Sequence, residues 1–136
     1  MNPYLNFKGD CRQAFAYYQQ ELGAKLLFLM TWGETPMADQ APGMADAIMH
    51  ATLQFPDGSL LMGADMPREH QKAIQGCSLS IGAKDVADGQ RLFAALSKNG
   101  QITMPFEKTF WAEGFGMCVD QFGVPWMVNC EMSAPQ

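Results

Sequence analysis

A chain of 136 residues, 48% hydrophobic and 17% charged, suits one globular domain or two half-domains on a shared core, and its composition is not that of a disordered segment. A net charge of −5 leaves no basic footprint for a phosphate backbone, so nucleic acid is not an expected partner. No apolar run reaches the ~20 residues that a membrane span requires, and residues 1–7 lack the basic and apolar regions of a signal peptide; the protein is expected to be cytoplasmic and away from membranes.

Residues 4–8 read as a short strand. Asp10 then supplies an N-cap, with Gln13 as its capping-box partner, for a helix whose apolar stripe is Cys11, Ala14, Phe15, Tyr18 and Leu22 and whose stop is Gly23. Strands are predicted at 25–32, 47–55 and 59–64, the last two joined as a hairpin across Pro56-Asp57-Gly58. Between the first two lies the Pro/Gly/Met-rich stretch 33–45, long enough for a functional lid and equally consistent with a mobile surface loop. Residues 66–75 read as a linker.

The same order of signals then returns. A strand at 78–82 precedes a helix from Val86 to Asn99, opened by Asp85 and Asp88, striped by Gly89, Leu92, Phe93 and Leu96, and stopped by Gly100. Strands follow at 102–111, 116–120 and 125–130, with a tail at 133–136 and a tight turn read into Gly114-Phe-Gly116. Matching Phe15 to Phe93 offsets the helices by 78 residues, whereas matching Gly58 to Gly123 offsets the closing hairpins by 65. The 13-residue shortfall is the length of the stretch 33–45. The chain is therefore read as α+β, two tandem βαβββ modules in a single domain: module one at about 1–65, the linker at 66–75, module two at about 76–132.

Particular strings carry a resemblance. Tyr4-Leu-Asn-Phe-Lys-Gly9, Ala14-Phe-Ala-Tyr-Tyr18, Ile48-Met-His-Ala51, Met104-Pro-Phe-Glu-Lys-Thr-Phe-Trp111, Phe115-Gly116, Asp120 and Phe122-Gly-Val-Pro-Trp-Met-Val-Asn129 are similar to the PhnB-like branch of the vicinal-oxygen-chelate (glyoxalase/bleomycin-resistance) superfamily, over nearly the whole chain. The resemblance implies a homodimer and curved half-barrels, each with a helix packed outside. It also implies a divalent metal held by one residue on the first strand and one on the last strand of each module. Here those positions fall on Pro3, Cys77, Met62 and Met127. Proline offers no side-chain donor and thioethers are weak ligands for hard divalent ions, so no metal and no other cofactor is expected. A slip of one residue in the alignment would turn Asn6, Ser78, Trp126 and Val128 inward instead, and these also fail to make a metal site. The family's demethylubiquinone methyltransferase label has no support in a glycine-rich nucleotide segment.

The expected ligand is a small apolar or aromatic molecule, lined by Met62, Cys77, Met127, Trp111 and Phe115, with Leu60 and Leu79 nearby. Trp111 and Trp32, 79 residues apart, are read as pseudo-symmetric. His50 is either functional, with Asp65 or another carboxylate as its partner in a metal-free acid/base pair or in holding a divalent ion at a shifted site, or a hydrogen-bonded structural histidine. Asp120 reads as a turn-former and Trp126 as core. Cys11, Cys77, Cys118 and Cys130 lack C-x-x-C spacing and are expected to be buried reduced thiols.

Overall fold

The computed structural model describes residues 1–132; the expected tail lies outside them. The chain forms two units, meeting in sequence between Ala73 and Ile74. In the first, β1 (Tyr4–Phe7), α1 (Cys11–Leu22), β2 (Lys25–Thr31), β3 (Ile48–Gln54) and β4 (Leu60–Asp65) give a sheet ordered β1-β4-β3-β2, with β1 parallel to β4 and the other pairs antiparallel. In the second, β5 (Leu79–Gly82), α2 (Val86–Ser97), β6 (Gln101–Glu107), β7 (Ala112–Val119) and β8 (Pro125–Glu131) repeat that arrangement as β5-β8-β7-β6. Each unit is thus the expected βαβββ module.

Each helix buries its whole predicted stripe against its own sheet: Cys11, Ala14, Phe15, Tyr18 and Leu22 from α1, and Gly89, Leu92, Phe93 and Leu96 from α2. Fully burying an aromatic such as Phe15 is worth roughly 1.5–3 kcal/mol, so these stripes supply much of each core. Gly23 ends α1 in the left-handed region (φ 72°), as expected, and the N–H groups of Gly23 and Ala24 both donate to Tyr18 O.

Two of the other helix ends, the start of α1 and the end of α2, depart from expectation. Asp10 makes no side-chain capping bond; the N–H of Cys11, first residue of α1, donates instead to Asp65 Oδ1 at 3.0 Å, from 54 residues away. Asp85 does cap α2 locally, accepting from Asp88 N–H at 2.7 Å. At the end of α2, Asn99 rather than Gly100 takes the positive φ (58°).

The repeat is also offset differently. β5 begins 75 residues after β1 and α2 begins 75 after α1, so Phe93 matches Tyr18 and not Phe15. A stripe spaced by three and four residues superposes on itself after a shift of one turn, which is why sequence matching slipped by three. In the sheets, Tyr4 is level with Met62 and Ser80 with Met127, 65 residues after Met62, so the counterpart of Pro3 is Leu79, two residues beyond Cys77. Module one's excess lies between β2 and β3, where residues 32–47 stand against only residues 108–111 between β6 and β7. That stretch is packed: Trp32, Ala41 and Met44 form a buried cluster with Ala47 and Met49 against it.

β6 is shorter and β7 longer than predicted, and Gly114-Phe-Gly116 is strand, not turn. Phe106 explains these glycines. Its ring occupies the places where Cβ atoms at Gly89 and Gly114 would stand, and its backbone lies 2.9 Å from that place at Gly116. The sequence Gly114-x-Gly116 thus seats an aromatic ring under α2, where Phe93 lies 5.9 Å away.

Candidate functional site

Alternation along β1 sends Leu5 and Phe7 toward α1, with Phe7 edge-on to Phe15 at 6.0 Å, and leaves Tyr4 and Asn6 on the opposite face. The register carries that open face across the sheet: Tyr4 is level with Met62, Met62 with Thr52, and Thr52 with Phe28. His50, two residues before Thr52, shares it.

There His50 is the centre of a compact group. The Tyr4 hydroxyl lies 3.0 Å from Nδ1 and the Thr52 hydroxyl 3.2 Å from Nε2. Tyr4 stacks on the imidazole at 5.5 Å between centroids, and Phe28 tilts against it at 5.8 Å. Partial burial, with a smaller contribution from Cys11, pushes the Tyr4 phenol above its ordinary value, so at neutral pH it remains an O–H able to donate to Nδ1. A neutral ring accepting there carries its proton on Nε2 and donates it to Thr52. Met62, level with Tyr4 and Thr52, shares this face; Tyr4, Thr52 and Phe28 were missed, although the alternation Tyr4/Asn6 against Leu5/Phe7 was available.

Asp65 is not the partner of His50. It is 1% exposed, and its carboxylate accepts three backbone N–H groups: Gly9 (2.9 Å) and Cys11 (3.0 Å) on Oδ1, and Ile48 (2.8 Å) on Oδ2. Its carbonyl accepts from Trp32 Nε1 at 2.9 Å. The group therefore ties the β1–α1 turn, the start of β3 and the Trp32 loop together.

In the second unit, the open face of the sheet carries a row of Ser80, Met127, Met117 and Met104, followed by Gly82, Asn129 and Phe115. Asn129 Oδ1 is buried and has no hydrogen-bond partner among the described residues. Trp111 is 45% exposed and packs edge-on between Phe110 (4.8 Å) and Phe115 (5.4 Å). Trp32, by contrast, is 6% exposed and follows β2, whereas Trp111 precedes β7; the two indoles are not symmetry mates. Leu79 is level with Trp126, which is buried, so Leu79 lies on the helix side rather than beside Met127. Asp120 is the turn-former expected, accepting from Phe122 and Val124 N–H and from Trp126 Nε1, each at 2.9 Å.

Cys77 lies outside β5 and is exposed, contrary to the buried thiol expected; nothing in its neighbourhood packs over it as the core packs over the other three. Burial raises the Cys11 thiol, with Asp65 and Asp10 adding to the shift, and burial with a contribution from Asp120 pushes Cys118 up to about 11. Both thiols are therefore protonated at pH 8 as well as buried. A disulfide reagent at that pH is expected to modify one thiol, Cys77, in the native chain and all four after denaturation; modification of Cys11 or Cys118 at the rate of Cys77 would contradict this placement.

Of the positions implied for a metal, Pro3 has its carbonyl engaged by Met62 N–H at 3.1 Å, and the two last-strand positions hold thioethers. Among the described residues no three His, Cys, Asp or Glu side chains are grouped so as to hold a metal ion.

The family profile described as Glyoxalase/Bleomycin resistance protein/Dioxygenase superfamily matches residues 1–128. The chain belongs to this superfamily. It is 40% identical to Protein YjdN of Escherichia coli K12, covering 99% of this chain and 97% of that one. Protein PA1353 from Pseudomonas aeruginosa is similar in structure at a TM-score of 0.89 and 42% identity, over 98% of both chains. The PhnB protein from Bacillus cereus shares the fold at a TM-score of 0.82 and 22% identity, covering 96% of this chain and 98% of that one. The PhnB-like resemblance and the paired βαβββ fold are thereby both supported. The two copies are not chemically equivalent: module one's open face centres on a histidine and module two's on methionines. No helix among the described residues is long and apolar enough to cross a membrane.

Proposed function

We propose that this superfamily member binds a small apolar or aromatic molecule, as a homodimer, without using the superfamily's usual metal positions. The observation that carries the reading is the group on the open face of module one. Tyr4 and Phe28 present aromatic surface on either side of His50, and both imidazole nitrogens are already engaged by hydroxyls. Such a histidine is a rigid, polar-edged platform for stacking rather than a base with a free lone pair. Module two, taken by itself, carries on its own open face a methionine row, polarizable surface that adapts to ligand shape, and the side-chain oxygen Asn129 Oδ1, an acceptor without a partner among the described residues. Proline and thioethers are a poor donor set for a hard divalent ion. Exposed Leu27 and Phe28 on β2, and Ile102 and Met104 on β6, both edge strands, support the dimer.

The test is amide and methyl chemical-shift titration of the full chain with a panel of one- and two-ring aromatic compounds. Binding is expected to move Tyr4, Thr52 and Met62, and Tyr4→Ala is expected to weaken it about tenfold, the loss of one well-packed aromatic contact. Absence of saturable shifts at this face, or binding unaffected by Tyr4→Ala, would overturn the reading. A second reading, His50 as an acid/base group, draws on its 3.0 Å contact with Tyr4, not on a carboxylate. It predicts that Tyr4→Phe alters a pH–rate profile once a substrate is in hand.

A further inference from the structure

A second concavity lies away from the His50 face. It is a cavity of about 700 Å³ between the β1–α1 turn and the loop that only module one possesses, lined by Lys8, Gly9, Gly43, Met44, Asp46 and Arg68 among others. None of the side chains grouped around His50 lines it.

Its charge is unusual for this chain. The protein carries a net −5, yet Lys8 and Arg68 face one cavity, and among the described residues neither is in an ion pair. The one acid on the wall, Asp46, has a third cation against it: Arg12 donates to its carbonyl at 3.1 Å. Lys8 and Arg68 thus share the lining with a single acid, and Arg12 engages the backbone of that acid rather than its carboxylate. Cations left without acids in an acidic protein concentrate attraction for an anion where the field is least cancelled.

The walls are also fixed. Gly9 N–H is held by Asp65 Oδ1 at 2.9 Å. Trp32 and Gly33 N–H donate to the carbonyls of Ala47 (2.9 Å) and Ala45 (3.0 Å), which pins the facing loop, and Met44, on the lining, is anchored in the buried cluster with Trp32 and Ala41. Asp65, with Trp32 Nε1 on its carbonyl, is common to both walls. Gly43 presents bare backbone (φ 78°) to Arg68, whose Nη2 lies 3.8 Å from where a Cβ would stand. The guanidinium therefore lies beside the loop that closes the cavity, and the backbone held on both walls does not have to be ordered on binding.

We propose that this cavity binds a small organic anion, its carboxylate or phosphate group held between Lys8 and Arg68 and its carbon frame over Met44. The site is independent of the aromatic face and stands or falls separately. Arginine engages either oxyanion through paired N–H donors, and lysine adds a point charge.

The experiment is amide chemical-shift titration of the full ¹⁵N-labelled chain with inorganic phosphate and, separately, citrate, at constant ionic strength. Saturable shifts at Gly9, Gly43 and Met44 are expected with at least one probe, and which probe saturates distinguishes a phosphate from a carboxylate ligand. Lys8→Gln and Arg68→Gln, both at exposed positions, should each weaken binding by about tenfold, while Lys98→Gln, an exposed lysine of module two, leaves it unchanged. Shifts that never saturate, or that persist equally in the Lys8→Gln/Arg68→Gln double variant, would overturn the proposal.

Discussion

Asp65→Ala is expected to destabilise the protein by about 4 kcal/mol, because an alanine leaves three backbone N–H groups without their acceptor in a buried site, at ~1–3 kcal/mol each before any water enters. Those donors belong to three different segments, the β1–α1 turn, the first residue of α1 and the first residue of β3. Losing the carboxylate removes the helix cap and two tertiary ties together. Asp65→Asn separates these effects. The amide keeps an oxygen for Gly9 and Cys11 but turns an N–H₂ donor toward the Ile48 donor, so about half the loss is expected. Urea denaturation of both variants measures it. A change within ~1 kcal/mol for Asp65→Ala would mean that the carboxylate does not carry the junction.

Gly100→Ala is expected to cost about 3 kcal/mol, although Gly100 does not have a positive φ. A Cβ there would meet the carbonyl oxygen of Val119 and, at 3.0 Å, the Asp120 backbone, where β7 ends. Backbone cannot move aside as a flexible side chain can, so the methyl acts as overpacking against the turn that Asp120 organises. Asn99 supplies the contrast. It holds the left-handed conformation (φ 58°), so Asn99→Gly is expected to leave stability within about 1 kcal/mol. If denaturation shows Asn99→Gly as the costly change and Gly100→Ala as the neutral one, the helix stop is the glycine after all.

These two residues mark the boundary of what the sequence could say. Both helical stripes were legible because burial follows the helix period, and every residue assigned to them is buried. Strand order and the two modules followed from turn residues in the same way. What failed depends on partners distant in sequence. Asp65 was read as a companion of His50 because a strand-end carboxylate can hold a histidine's tautomer; its true partners lie 17, 54 and 56 residues away, and no local pattern announces them. Gly114 and Gly116 were read as a turn because the ring of Phe106, from the neighbouring strand, is invisible until β6 and β7 pair. The match of Pro3 to Cys77 fell two residues short of the strand register, in which Leu79 is the counterpart of Pro3, and so put an exposed thiol into the expected ligand lining. At the candidate site, Met62 and His50 were in view. Tyr4, 46 residues from His50, became a partner only through the parallel pairing of β1 with β4.

The central claim is that the chain carries an organic molecule and does not depend on a divalent ion at the superfamily's usual positions. Native mass spectrometry of the gently purified, untagged protein tests both parts in one spectrum. The account predicts a dimer free of stoichiometric metal and bearing an organic adduct that is lost in Tyr4→Ala. One divalent ion per subunit, retained in Tyr4→Ala and accompanied by no organic mass, would contradict it.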